Sequence, residues 1–455
     1  PTPTPTPRPT PTPTPKPQSE PLALDLIVAA RIKGVTAEVL ENYGDGHFYM
    51  AEVEGQDGYA ATAVAPIDAN NDGYNDLLVL LDNYVELVLN DGKGNFTYSA
   101  NWRNSELAVA ESVAVADYDG NGLQDFVVSF SNGPNLLARN LGLKGFAVLE
   151  LPDLDSKTAR AAEFVVKFAH VNDDDRIDLI FGRDGGNGIG VLLQTAEREF
   201  VLPVVGYDTA EGYGFYELRK TSYDVRSMEV GDLDGDGDQD VVVGVLGGEN
   251  SVWINQAGKG FLKGVLPEEA RAPTQTYAVG LADFNADGAL DIVFGNAAGS
   301  PSKDWLRDAD TQVLKNNGNG VFVMAGKLET SVANADGYLR TMAIGDVNSD
   351  GNADVVVGTT EHPNLYLGDG GFGFTKFTLT SRMVKGSPMS NAGRAVSLAR
   401  MHTKAAECTG CWGHTAGPCQ QPNGVCWAAP CPPGTSECAA PGPSPPEPTP
   451  TPTPT

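Results

Sequence analysis

Short runs that alternate apolar with small or polar residues recur through the middle of the chain: SVAVA (112–116), SMEVG (227–231), AVGLA (278–282) and TMAIG (341–345). A period of two predicts a strand with one packed face. Each run leads through a polar, acidic nonapeptide into a nearly continuous apolar stretch: LLVLL (77–81), FVVSF (126–130), LIFG (179–182), VVVG (241–244), IVFG (292–295) and VVVG (355–358). Such a stretch predicts a strand buried on both faces. A third strand and a Gly-rich hairpin then follow, as in VELVLNDGKGNFT (85–97), SVWINQAGKGFL (251–262), QVLKNNGNGVFV (312–323) and NLYLGDGGFGFT (364–375). The Asn/Asp/Gly clusters supply the positive φ of a tight hairpin, and the Phe after each opens a fourth strand.

The nonapeptides are DANNDGYND (68–76), DYDGNGLQD (117–125), HVNDDDRID (170–178), DLDGDGDQD (232–240), DFNADGALD (283–291) and DVNSDGNAD (346–354). Their spacing is that of a propeller blade, and repeated units of four antiparallel strands make a propeller. Six motifs give six units, and the two ends supply a seventh. AVSLA (395–399) matches a first strand, with Arg400 where the leading Asp should stand, while DLIVA (25–29) and AEVLENYGDGHFYM (37–50) match the second and third strands and the hairpin. The expectation is an all-β, seven-bladed β-propeller over residues 21–403, its last blade closed by both chain ends so that no long edge strand is left free.

Composition adds flanking segments. Residues 1–20 and 441–455 are rich in alternating Pro and Thr. Proline lacks an N–H and fixes φ, so these should be extended polyproline II rods. Thr2, Thr4, Thr6, Thr10, Thr12, Thr14, Thr449, Thr451 and Thr453 are candidate O-glycosylation sites, and Asn95 opens an Asn-Phe-Thr sequon. The opening Pro and the repeat at both ends predict a piece of a longer chain. All six cysteines, Cys408, Cys411, Cys419, Cys426, Cys431 and Cys438, fall in residues 404–440. An even set in a short loop-rich module reads as a disulfide framework. Zinc is the rival, since His402 and His414 flank the CTGC pair, but no second CxxC follows. The formal charge of −28, from 59 acidic and 31 basic residues, argues against a nucleic-acid partner. No apolar run is long enough for a membrane-spanning helix.

The complete repeat resembles the FG-GAP/VCBS family, which includes the integrin alpha-chain propeller. The resemblance covers about residues 21–403 and implies an extracellular or cell-surface protein that binds Ca2+. Calcium takes six to eight oxygens, and the nonapeptide offers side chains at positions 1, 3, 5 and 9, a carbonyl at 7 and a turn-permitting Gly at 6. The expected ligands are Asp68, Asn70, Asp72, Tyr74 and Asp76; Asp117, Asp119, Asn121, Leu123 and Asp125; Asp232, Asp234, Asp236, Asp238 and Asp240; Asp283, Asn285, Asp287, Ala289 and Asp291; and Asp346, Asn348, Asp350, Asn352 and Asp354. An EF-hand is excluded, because position 12 is apolar and lies inside a strand. The 170–178 loop, with His170 leading and Asp175 in place of Gly, keeps only Asn172, Asp174 and Asp178 and should be weak or empty. About five structural ions are expected.

Strand alternation puts the acidic loops and the hairpins on one face. The longer connections fall on the other, with Tyr207, Tyr213, Phe215, Tyr216 and Trp305 as candidate ligand contacts. The leading functional reading is a structural or adhesive extracellular module, carried on glycosylated rods, that meets glycans or other extracellular proteins and could self-associate into fibres. A lectin using the long-loop face is the alternative. A polysaccharide lyase ranks below both, because none of the five histidines (His47, His170, His362, His402, His414) sits in a recognisable catalytic arrangement, so the chain reads as a non-enzyme.

Overall fold

The computed structural model describes residues 24–401, apart from 33–34, 43–47, 55–60, 105–107, 155–161, 173, 185–187, 204–223, 257–259, 272–273, 298–309, 331–338, 360–362, 380–383, 386–394 and 400. The Pro-Thr segments, the cysteine module and the aromatics Tyr207, Tyr213, Phe215, Tyr216 and Trp305 lie outside the described residues.

The described chain is all-β and propeller-like. Its repeating unit is an antiparallel sheet of four strands in sequence order, for example Ala61–Ile67, Asp76–Leu81, Tyr84–Asn90 and Phe96–Arg103. The continuous apolar runs are the second strands. Asp76–Leu81, Asp125–Phe130, Asp178–Arg183, Asp291–Asn296 and Asp354–Thr359 are buried at every position. The hairpin phenylalanines Phe96, Phe146, Phe200, Phe261, Phe322 and Phe374 each begin a fourth strand. Two units share an edge: Asp240–Gly248 extends far enough to pair Leu246 with Gln275 and Gly248 with Thr274 of the next first strand.

Both ends of the described chain meet in one sheet. Val396–Ala399 pairs antiparallel with Asp25–Ile32, aligning Asp25 with Ala399 and Val28 with Val396. Val384–Lys385 adds a parallel strand along Phe48–Glu54, which covers the outer edge of that sheet.

The first strands lie side by side in a ring. Ala61–Ile67 neighbours Ala110–Ala116, followed by Glu163–Ala169, Asp224–Gly231, Thr274–Ala282, Leu339–Gly345 and Val396–Ala399, which returns to Ala61–Ile67. Apolar clusters fill the wedges between sheets. One joins Leu78, Leu80, Val85 and Leu87 to Phe126, Val128, Phe130 and Leu136 of the following unit. Trp102, Phe126 and Phe146 meet there with centroids 5.2–5.3 Å apart in tilted and edge-on geometry, which aromatic quadrupoles favour.

The glycine at the fifth position of several second strands marks where one sheet touches the next. A Cβ on Gly182 would overlap Val225 Cγ1, and one on Gly244 would lie 2.7 Å from Thr276 Cγ2 and 2.8 Å from Val279 Cγ2. These neighbours are buried first-strand residues without room to retreat. Gly244→Ala should therefore lower stability by about 1–3 kcal/mol through overpacking, read as a fall in the thermal midpoint. An unchanged midpoint would mean that the two sheets are not in close contact there.

Candidate functional site

The acidic loops are built by their own backbone. At positions 4 and 6 the chain turns left-handed: Asn71, Gly120, Gly235, Ala286 and Ser349 have φ of 56–80°, and Gly73, Gly122, Gly237, Gly288 and Gly351 have φ of 82–96°. This curl aims N–H groups at the side chains. The leading carboxylate accepts from position 6 in each complete loop, as in Gly73 N–H to Asp68 (2.9 Å), Gly122 to Asp117 (2.7 Å) and Gly288 to Asp283 (2.7 Å). The oxygen at position 5 accepts from position 7: Tyr74 N–H to Asp72 (2.9 Å), Leu123 to Asn121 (2.7 Å), Asp238 to Asp236 (2.9 Å), Ala289 to Asp287 (3.1 Å) and Asn352 to Asp350 (2.8 Å). Side chains at 1, 3 and 5 are thereby preorganised on the loop's concave side.

The closing aspartate is a different kind of residue. Asp76, Asp125, Asp178, Asp240, Asp291 and Asp354 are fully buried, and each opens a second strand. One oxygen accepts the N–H at position 2 of its loop: Ala69 (3.0 Å), Tyr118 (3.2 Å), Val171 (3.3 Å), Leu233 (2.7 Å), Phe284 (3.0 Å) and Val347 (2.7 Å). The other accepts the N–H of the residue that ends the third strand: Asn90 (2.7 Å), Asn140 (2.6 Å), Gln194 (2.7 Å), Asn255 (2.7 Å), Asn316 (2.8 Å) and Gly368 (2.9 Å). Asp25 plays the same part where the ends meet, accepting from Asn42 (2.7 Å) and Met401 (2.8 Å). From the motif alone the closing Asp is only a ligand, and Asp25 has no role. The signal was there, in an Asp ahead of the apolar run in every unit, including the one without an acidic nonapeptide.

The third-strand Asn carries the bond onward to the neighbouring unit. Asn140 Nδ2 donates to Ala69 O (2.9 Å), Gln194 Nε2 to Tyr118 O (3.0 Å), Asn316 Nδ2 to Leu233 O (2.7 Å), Asn42 Nδ2 to Val347 O (2.7 Å) and Asn90 Nδ2 to Met401 O (2.6 Å). At the junction of the 170–178 and 232–240 units, Gln239 Oε1 accepts from His170 N–H instead (2.7 Å).

Charge compensation separates the loops. In 117–125, oxygens of Asp117, Asp119 and Asp125 lie within 4.8 Å of one another. Asp119 is buried there beneath two guanidiniums, with Arg139 in contact and Arg198 at 3.5 Å. In 283–291, Lys315 Nζ reaches Asp287 Oδ2 at 2.9 Å, a bond that holds the Asp287 carboxyl below the usual range. In 170–178, Arg176 pairs with Asp174 and bonds Gln194 O (2.9 Å), while His170 Nδ1 meets Arg176 O at 3.0 Å. Among the described residues no Lys or Arg pairs with Asp68, Asp72, Asp232, Asp234, Asp236, Asp346 or Asp350. In 232–240 the oxygens of Asp232, Asp234 and Asp240 also lie within 4.8 Å of one another, a donor set that suits a hard divalent cation.

Burial dominates the electrostatics of the closing residues. It pushes the carboxyls of Asp76, Asp125, Asp178 and Asp240 up to about 7, and those of Asp291 and Asp354 up to about 6, against the lowering effect of their N–H donors.

The FG-GAP-like repeat family matches the chain over residues 68–128 and 232–294. Curated protein sequences offer no match. Among solved structures, the chain is similar to an Agrocybe aegerita lectin described as recognising non-reducing terminal N-acetylglucosamine. That likeness has 19% identity and a TM-score of 0.57, covering 84% of this chain and 96% of the lectin. It is also similar to a periplasmic gluconolactonase of Pseudomonas aeruginosa, with 13% identity and a TM-score of 0.53 over 82% and 98% of the two chains. A Lactobacillus plantarum protein gives 10% identity and a TM-score of 0.53 over 83% and 99%. At these identities the likeness is one of fold.

A pH prediction follows from the closing aspartates. Their folded values of about 6–7 exceed the unfolded value of about 3.9, so between these pH values the folded state binds more protons than the unfolded state. Their contribution is then fully present at low pH and is lost as pH rises through 6–7. In chelator, calorimetry should show a lower thermal midpoint at pH 8 than at pH 5.5. A higher midpoint at pH 8 would mean that the N–H donors keep these carboxylates ionised in the folded state.

Proposed function

We propose that this chain, which carries FG-GAP-like repeats, is a calcium-stabilised seven-bladed propeller. It would serve as a structural or adhesive module of an extracellular or cell-surface protein, held between glycosylated Pro-Thr rods. The observation that carries the reading is the pairing of Val396–Ala399 with Asp25–Ile32, which makes one closed ring out of segments from the two ends. A ring closed in this way is a rigid bead whose opening requires the loss of a whole blade's contacts, a property suited to a tethered surface module.

Calcium enters through the acidic loops. An ion there would neutralise carboxylates in segments too polar to pack, and by binding only the folded form it would add stability. The loops that fit it best are 68–76, 232–240 and 346–354, where no Lys or Arg among the described residues pairs with the carboxylates at positions 1, 3 and 5. In 117–125 and 283–291 the cations Arg139, Arg198 and Lys315 already occupy the carboxylates. The count of occupied sites is therefore nearer three than the five that the motif alone implies. The 170–178 loop is served by Arg176 and takes no ion.

Calcium titration of the full chain, by calorimetry or native mass spectrometry, should give about three ions at the affinity of extracellular modules, about 10⁻⁴–10⁻³ M. Each occupied site should raise the thermal midpoint. Lys315→Gln should add one ion. Five ions in the parent chain would refute the compensation argument, and a midpoint indifferent to calcium would refute the structural role of the ion.

A further inference from the structure

Every described first strand except Val396–Ala399 carries a bulge at the same place in its repeat. Pairing with the second strand skips one residue: Thr62 between Ala61 and Ala63, Glu111 between Ala110 and Ser112, and Phe164 between Glu163 and Val165. The others are Arg226 between Val225 and Ser227, Tyr277 between Thr276 and Ala278, and Arg340 between Leu339 and Thr341. A bulge re-aims the extra side chain out of the ladder, and bulges gather at the rims of barrels and beside binding sites. These first strands form the ring, and the bulges fall near their starts, at the end away from the acidic loops. The extra side chains therefore gather around one mouth of the ring.

Their identities alternate in a way that core packing does not require. On four successive strands the residues are Phe164, Arg226, Tyr277 and Arg340. The Arg226 guanidinium lies over the Phe164 ring, 3.5 Å from its centroid, and that of Arg340 lies over Tyr277 at 5.0 Å. An aromatic platform beneath a guanidinium holds it flat while leaving its N–H edge free for a planar oxyanion. Arg226 Nε is buried and has no hydrogen-bond acceptor among the described residues. Asp224 Oδ2 lies 3.8 Å from Arg226 Nη2, too far for a hydrogen bond. Arg340 is exposed. On the same strands Lys167 Nζ is bonded directly to Glu229 Oε1, at 2.6 Å. Two arginines poised on aromatic platforms in a chain of net charge −28 call for an explanation.

We propose that this mouth of the ring binds a carboxylated glycan, with uronate carboxylates taken by Arg226 and Arg340. Each guanidinium on its own platform can take one carboxylate, and Arg–carboxylate pairs are frequently bidentate. Glu111 stands at the equivalent bulge. Burial raises its carboxyl and the Arg226 guanidinium opposes that rise, so a ligand carboxylate on Arg226 competes with Glu111 for the same cation. The inference gives the adhesive reading its ligand class, and it depends on the ring rather than on calcium.

The test is a titration of the full chain in calcium with digalacturonate, maltose and sodium sulfate, followed by calorimetry or ligand-observed NMR. Digalacturonate should bind at least about tenfold more tightly than maltose or sulfate. Arg226→Gln and Arg340→Gln should each weaken it about tenfold, as expected for a charge-assisted hydrogen bond. Glu111→Gln should tighten binding severalfold, a gain that a purely structural residue would not give. Because Arg340 is exposed, Arg340→Gln should keep the parent thermal midpoint, which separates loss of binding from loss of fold. Digalacturonate binding no tighter than maltose, sulfate binding equally well, or affinity unchanged in both arginine variants would each overturn the assignment. A calcium-dependent midpoint without digalacturonate binding would remove this site and leave the module reading standing. Binding without any calcium effect would do the reverse.

Discussion

The structure depends on a buried carboxylate at the start of each second strand. Asp25, Asp76, Asp125, Asp178, Asp240, Asp291 and Asp354 each accept two backbone N–H groups, one from the segment that leads into the strand and one from the end of the third strand. Those donors lie where the ladder stops and would otherwise be orphaned in a buried place, at a cost of about 1–3 kcal/mol each. An asparagine of the same size has one acceptor oxygen, so it would set its own NH2 against one of the two N–H donors. One residue therefore fixes the loop, the strand start and the hairpin together, and the acidic loop is suspended from it.

The same clamp explains how repeats become a ring. The Asn or Gln that donates its backbone N–H to the Asp sends its side-chain amide to the carbonyl at position 2 of the neighbouring unit, as Asn140 does to Ala69 and Asn316 does to Leu233. At closure Asn42 reaches Val347 and Asn90 reaches Met401. Apolar wedges between sheets supply most of the driving force, at about 25 cal/mol per Å² buried, but they are non-directional. The amide ties set the relative height of the sheets. The acidic loops then differ only in how their surplus charge is handled. Arg139, Arg198, Lys315 and Arg176 neutralise three of them, and in the others no Lys or Arg among the described residues pairs with Asp68, Asp72, Asp232, Asp234, Asp236, Asp346 or Asp350.

Much of this was legible in the sequence, for physical reasons. Period-two runs, fully apolar runs and Asn/Asp/Gly hairpins each have a single backbone solution, and the seams at DLIVA and AVSLA were visible because a repeat with a missing half must find it elsewhere. The 170–178 loop was also readable as deviant, and Asp175 does adopt φ of 56° where the other loops place Gly. Three features escaped. The dual role of the closing Asp was hidden, since ligand and structural acceptor use the same residue type at the same position. Of the cations of the acidic loops, Arg139 and Lys315 come from third strands and Arg198 from the hairpin of another unit, so no pattern within the nonapeptide announces them. The bulged residues Arg226 and Arg340 read as ordinary polar positions until the register shows that both sit at the same skipped place.

The account is tested most directly by amide hydrogen exchange at Met401, resolved residue by residue in the full chain. Its N–H donates to buried Asp25, 376 residues away in sequence, so it should exchange only when the ring opens, at least about 10³-fold more slowly than a free amide. It should also share the protection of Asn42 N–H, the other donor to Asp25. Exchange of Met401 at the rate of a frayed segment, with Asn42 still protected, would contradict the claim that the Asp clamp closes the ring.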